Sequence, residues 1–174
     1  EKYPGDSNLA YDNASVYPEY ENLKNKFKGK QWYELENEFI FNEKDSLFFF
    51  GKKGFKYFIP AFMIASIEAF DETDNLPDIV IGKFTLPTEI DDIILANQIK
   101  LDSINRQNPE RLNDFFRNSL KEKNKQIHTF IDCMIDFNKE QCKSIRDFLE
   151  YMTKYSDELY NDPQIAIERY WFQF

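Results

Sequence analysis

Five glycines, one histidine and two cysteines in 174 residues remove several kinds of chemistry before any motif is sought. Gly5, Gly29, Gly51, Gly54 and Gly82 are scattered, so no glycine-rich loop is available to cradle a phosphate with its backbone N–H groups. His128 stands alone and cannot build a multi-histidine metal site. Cys133 and Cys142 belong to no CxxC pair and to no Cys/His set with metal-ligand spacing. In one continuous helix they would lie about 13 Å apart, too far for a disulfide, although a turn between them could bring them together. They read as reduced core thiols and suit a reducing, cytoplasmic setting. Long apolar runs are missing too: the longest, Ile59 to Ile67, is about half of the roughly 20 residues that a bilayer span needs.

Positive charge is the other shortage. Lys and Arg number 22 against 31 Asp and Glu, a net charge of −9. Phosphate recognition draws its affinity from clustered cations, so nucleic acid is not expected as a partner, and anionic membranes are disfavoured for the same reason. The one dense cationic stretch, Lys121, Lys123 and Lys125, is interrupted by Glu122 and reads as the solvated face of a helix. An acidic surface suits a basic protein partner, because opposite charge raises the encounter rate.

What the chain does have is rings: 18 Phe, 10 Tyr and 2 Trp. Their spacing is mostly helical. Pro18 to Lys28 carries Tyr20, Leu23 and Phe27 on one face, with acidic residues first, lysines last and Gly29 as the stop. Trp32, Leu35, Phe39 and Ile40 continue at helical spacing, followed by a short buried strand or turn at Leu47 to Phe50. Pro60 fits the first turn of a helix, and Pro60 to Phe70 is apolar nearly all round, as a central helix would be. A short strand is expected at Ile79 to Ile81. Thr88 then caps a helix on which Ile90, Ile93, Ile94 and Leu101 form one face, with Asp91 completing an approximate capping box. Asn108-Pro109, Asn138 with Gln141, and Asp162-Pro163 open three further helices. The expectation is an all-α or mainly α single-domain bundle of about six helices over residues 1–174, with an arm at 1–15 and at most a minor strand element.

Candidate chemistry is thin. His128 sits in a helical pattern without a nucleophile motif, and acidic pairs such as Asp91 and Asp92 arise by chance among 31 acidic residues. The loop Asp71 to Asp78 alternates oxygen ligands as the start of a calcium loop does, but Leu76 stands where that loop needs glycine and Gly82 where it needs a bidentate glutamate. No catalytic set, metal site or cofactor is read. Two functions remain. In one, the protein is a non-enzymatic interaction protein that meets a basic partner through Asp71, Glu72, Asp74 and Asp78, as an immunity protein neutralises a basic bacterial toxin. In the other, Trp32, Tyr57 and Trp171 line a pocket for a small ligand or a metal-independent reaction. A homo-oligomer joined through exposed rings is a further possibility.

Several motifs also carry a resemblance. Tyr3-Pro4-Gly5-Asp6, Phe27-x-Gly-x-x-Trp32-x-x-Leu35, Phe55-x-Tyr57-Phe58-Ile59-Pro60-Ala61-Phe62, Phe137-x-x-x-Gln141-x-x-x-Ile145-x-x-Phe148-Leu149 and the ending Ala166-x-Glu-x-Tyr170-Trp171 resemble a small bacterial family of unknown function. The resemblance implies a single cytoplasmic domain with structural motif residues and no established activity. It also implies that residues 71–125 are a variable insertion and that a further helix lies upstream of Glu1.

Overall fold

Gly54 allows the N-terminal arm to lie against the longest buried helix of the protein. In the computed structural model, a Cβ at Gly54 would sit 2.4 Å from the carbonyl oxygen of Leu9. That same oxygen accepts a hydrogen bond from Gly51 N at 2.8 Å, and Ala10 forms an isolated antiparallel bridge with Phe50. The structure describes residues 2–10, 18–72, 74–101 and 109–174, with the side chains of 96–101 and 109–113 left aside. Most of the arm beyond Ala10, Thr73 and the expected cap Asn108 lie outside the described residues, as do the side chains of Leu101 and Leu112.

The described chain is all-α, with eight α-helices joined by 3-10 turns and no strand among the described residues. They are α1 (Pro18–Phe27), α2 (Asn37–Asn42), α3 (Lys52–Glu68), α4 (Leu76–Phe84), α5 (Glu89–Leu101), α6 (Pro109–Met134), α7 (Lys139–Met152) and α8 (Pro163–Arg169). They divide into two compact units, residues 1–85 with 136–174, and residues 86–135.

In the first unit α3 is central. It buries Phe55, Tyr57, Phe58, Ile59, Ala61, Phe62 and Ala65, and it packs against α2, α4 and the flanking 3-10 turns. Phe58 and Phe62 face Phe27 of α1, whose ring also meets Phe39 and Phe50 at centroid distances of 5.2 and 4.9 Å. Elsewhere on α3, Phe55 meets Phe84 of α4, and Phe84 in turn meets Phe148 of α7 and Trp171. The Trp171 indole is fully buried and donates to the Phe84 carbonyl at 2.7 Å. Edge-to-face rings at these separations fill the space that small residues would otherwise leave between helices.

The helix limits follow local chemistry where the signals are local. Gly29 takes φ 67° directly after α1. Asn138 and Gln141 form a reciprocal capping box, and Asp162 accepts from Gln164 N ahead of Pro163. Three expectations are corrected. Ile79 to Ile81 is not a strand but the middle of α4, which starts at Leu76 with Pro77 in its first turn and buries Val80 and Ile81. Pro60 is not in a first turn. It lies inside α3, which begins eight residues earlier, half-buried on the side that carries the exposed Lys53, Ile64 and Ile67, and burial of the rings on the other side outweighs the roughly 3 kcal/mol that an interior proline costs. Trp32 to Ile40 is not one helix: Trp32–Glu34 is a 3-10 turn, Leu35 and Glu36 are extended, and α2 starts at Asn37.

The arm is also held at its first residues. Tyr3 donates to Asp6 Oδ1 at 2.6 Å, accepts from Gly29 N at 2.9 Å and packs edge-on against Tyr57. Burial, then the hydrogen bond to Asp6, push the Tyr3 hydroxyl up to about 12.

Two outcomes follow from these contacts. Gly54→Ala gains about 0.5–1 kcal/mol of helix propensity but meets backbone, not a flexible side chain, and overpacking costs about 1–3 kcal/mol. Urea denaturation is therefore expected to show net destabilisation, and unchanged or raised stability would refute the close approach. For Tyr3, the folded state raises the pKa above the unfolded value of 10.0, so its contribution is complete below pH 10 and is lost as pH rises toward 12. Tyr3→Phe should flatten the fall in thermal stability across that alkaline window.

Candidate functional site

The four acidic residues singled out in the sequence are separated by the fold into three that are exposed and one that is half-buried. α3 ends at Glu68, and Phe70–Glu72 forms a 3-10 turn that leaves Asp71 and Glu72 exposed. Asp74 takes φ 52° and stays exposed, with Lys44 Nζ 2.8 Å from its Oδ2. That hydrogen bond and the lysine charge hold the Asp74 carboxyl below the usual carboxylate range. Asp78 is different. It sits in the first turn of α4, and its Oδ1 accepts from Asn161 N at 2.7 Å while its backbone carbonyl accepts from Asn161 Nδ2 at 2.8 Å.

That pair of hydrogen bonds ties the acidic loop to a second segment 83 residues away. Phe70 stacks on Tyr155 with centroids 4.2 Å apart, which makes a second tie between the same stretches. Tyr155 belongs to the 3-10 turn Thr153–Glu158, which follows α7 and carries Asp157 and Glu158, both exposed. A hydrogen bond with Tyr151 does most to raise the Tyr155 hydroxyl, and the charges of Asp71 and Glu158 add to it, so both carboxylates act on one ring. Asp71 and Glu158 thus both lie about Tyr155, and the two tied segments also expose Glu72, Asp74, Asp157 and Tyr160, the last of them 93% exposed. Sequence reasoning missed Asp157, Glu158, Tyr155 and Tyr160. Their only local signal is an Asp-Glu pair after a helix, and the ring stack that brings them to the loop is tertiary.

Charge follows the same division. Residues 86–135 hold eight acidic and seven basic side chains, a net of −1, which leaves −8 of the total −9 to the unit that carries this surface.

The aromatic candidates are placed otherwise. Trp171 spends its N–H on the Phe84 carbonyl, and Tyr57, 2% exposed, donates its hydroxyl to Gln31 Oε1 at 2.6 Å. Trp171 belongs to the ring cluster around Phe84, whereas Tyr57 packs on Phe58 and Tyr3. Trp32 is half-buried against Tyr33. Among the described ring contacts these three do not meet on one lining.

The remaining groups are dispersed. His128 is exposed on α6. Asp91 Oδ2 accepts from Thr88 N at 2.9 Å, while Asp92 Oδ1 accepts from Ser119 Oγ at 2.8 Å, so the two carboxylates serve different partners and form no dyad. Neither Cys133 nor Cys142 forms a disulfide, and burial pushes the Cys142 thiol up, away from the reactive thiolate. Among the described residues no group of three or more His, Cys, Asp or Glu could hold a metal, and no helix is long and apolar enough to cross a membrane.

The two kinds of carboxylate can be told apart by stability. Asp78→Ala strips the acceptor from a part-buried backbone N–H and should lower unfolding stability by about 1–3 kcal/mol. Asp71→Asn and Glu72→Gln should stay within about 0.5 kcal/mol of the parent. Equal losses in all three variants, measured in urea, would contradict this assignment.

Compared with models of protein families, with curated proteins and with solved structures, the chain matches none of them.

Proposed function

We propose that this chain is a non-enzymatic acidic interaction protein that binds a basic protein partner through the surface of Asp71, Glu72, Asp74, Asp157 and Glu158. The observation that carries this reading is the double tie between the two acidic segments, through Phe70 with Tyr155 and through Asp78 with Asn161. Carboxylates gathered by these ties repel one another. That arrangement is compensated when a cationic partner is present, and preorganised charge of one sign steers such a partner and rejects acidic ones. Tyr160 supplies what charge alone does not, since an exposed tyrosine anchors an interface with little loss of conformational freedom.

The specific form of this reading is an immunity-type protein of a bacterial cytoplasm that neutralises a basic toxin by covering its cationic active surface. The test uses the basic protein encoded beside this chain's gene, assayed for its own toxic or nuclease activity with and without equimolar addition of this protein. Inhibition is expected, weakening as salt rises, and the triple charge reversal Asp71→Lys, Glu72→Lys, Glu158→Lys should raise the inhibitory concentration at least tenfold. Toxin activity left unaltered by the parent protein would sink the proposal.

A further inference from the structure

The chain leaves the first unit after Thr85 and returns to it at Asp136, and both ends are held on one ring. Phe55, in the first turn of α3, has its centroid 6.3 Å from that of Phe84 and 6.3 Å from that of Phe137. The rings that flank the departure and the return are therefore at most twice that distance apart. Each end is also pinned. Trp171 Nε1 donates to the Phe84 carbonyl at 2.7 Å, Lys52 Nζ lies 3.1 Å from Asp136 Oδ1, and Lys56 Nζ donates to the Asp136 carbonyl. Residues that depart and return at one place on a packed core are arranged as an insertion is in its host.

The core is divided unequally between the two units. Of the buried apolar residues, all but Phe130 and Met134 belong to the first. Its two halves hold each other directly: Phe84 meets Phe148 and Trp171, Phe70 stacks on Tyr155, and Asp78 accepts from Asn161 N. Each of these contacts joins a residue before the excursion to one after it. Residues 86–135 are built otherwise. Asp92 is buried between Ser119 and Lys123, its Oδ2 and the Thr88 hydroxyl have no hydrogen-bond partner among the described residues, and Ile90, Ile93 and Ile94 are at least half exposed. A seam of this kind adds little net stability.

We infer that residues 1–85 with 136–174 are a complete domain and that residues 86–135 are an insertion on which neither its folding nor the position of its acidic segments depends. The host keeps a length at which one core sustains a domain. This inference stands on the packing of the first unit and does not require the basic partner.

The experiment uses the intact chain and two optical signals. Trp32 and Trp171 both lie in the first unit, so tryptophan fluorescence follows its unfolding, whereas far-ultraviolet circular dichroism follows the helices of both units. The double variant Ile94→Pro, Ser119→Pro places a proline inside α5 and another inside α6, each at a cost of about 3 kcal/mol or more to its helix. Helicity should fall while the urea midpoint read by tryptophan stays within about 0.3 M of the parent's. A midpoint displaced by more than that, or loss of the cooperative tryptophan transition, overturns the inference. Leu149→Pro, inside α7 of the host, should by contrast abolish the same transition, and its survival there would equally overturn the inference.

Discussion

The burial of the ring-bearing side of α3 is the constraint from which the rest of its unit follows. Lys53, Ile64 and Ile67 keep one side of this helix in water, and the chain covers the other side with segments from before and after residues 86–135. The arm reaches it only because Gly54 has no Cβ, α1 reaches it through Phe27, and α4, α7 and the Trp171 segment form the cluster that Phe55 enters. Scarcity of small residues makes rings the filler, and each buried polar ring atom is matched: Tyr57 to Gln31, Trp171 to Phe84. That bonding is why the aromatic excess belongs to the core. An indole or phenol whose donor is already spent has less to offer a ligand.

The acidic surface inherits its position from the same constraint. The direction in which α3 ends brings Phe70 over Tyr155, and Asp78 then fixes Asn161, so loop and turn are held by packing and hydrogen bonds and the carboxylates are free of structural duty. Asp78 marks the boundary between these roles. Its side chain satisfies a backbone N–H, so it belongs to the scaffold although it sits in the same acidic run as Asp71 and Glu72. Lys44 beside Asp74 offsets part of the accumulated charge at an exposed site, where an ion pair adds little to stability but limits repulsion.

How far the fold could be read from sequence depended on the range of each signal. Caps are chemistry between residues two to three apart, so Asn138 with Gln141, Asp162 before Pro163 and Gly29 after α1 were legible. Pro60 was misplaced because the cost of an interior proline is overridden by burial that only the tertiary structure supplies. Ile79 to Ile81 carries β-branched residues, yet its surroundings are helical from Asn75 onward, and three residues are too few for periodicity to arbitrate. The acidic loop was found by composition alone, but its companion Asp157 and Glu158 lay beyond reach, because nothing in a single sequence records that Phe70 stacks on Tyr155.

Helix α5 shows a different limit. Hydrophobic spacing identifies that Ile90, Ile93 and Ile94 share a face; it does not say which way that face points. Within residues 86–135 α5 packs on α6, and the choice between its faces falls to a few specific contacts. Here Ser119 and Lys123 make the choice by offering Asp92 a hydroxyl and an ammonium inside the seam. A buried pair of this kind contributes little net stability against an apolar alternative, but it selects one rotation over another, since a helix turned away leaves the Lys123 charge without its partner. The rotation of α5 is thus decided by polar contacts at Asp92 and that of α3 by ring packing, and apolar spacing alone gives the first of these no direction.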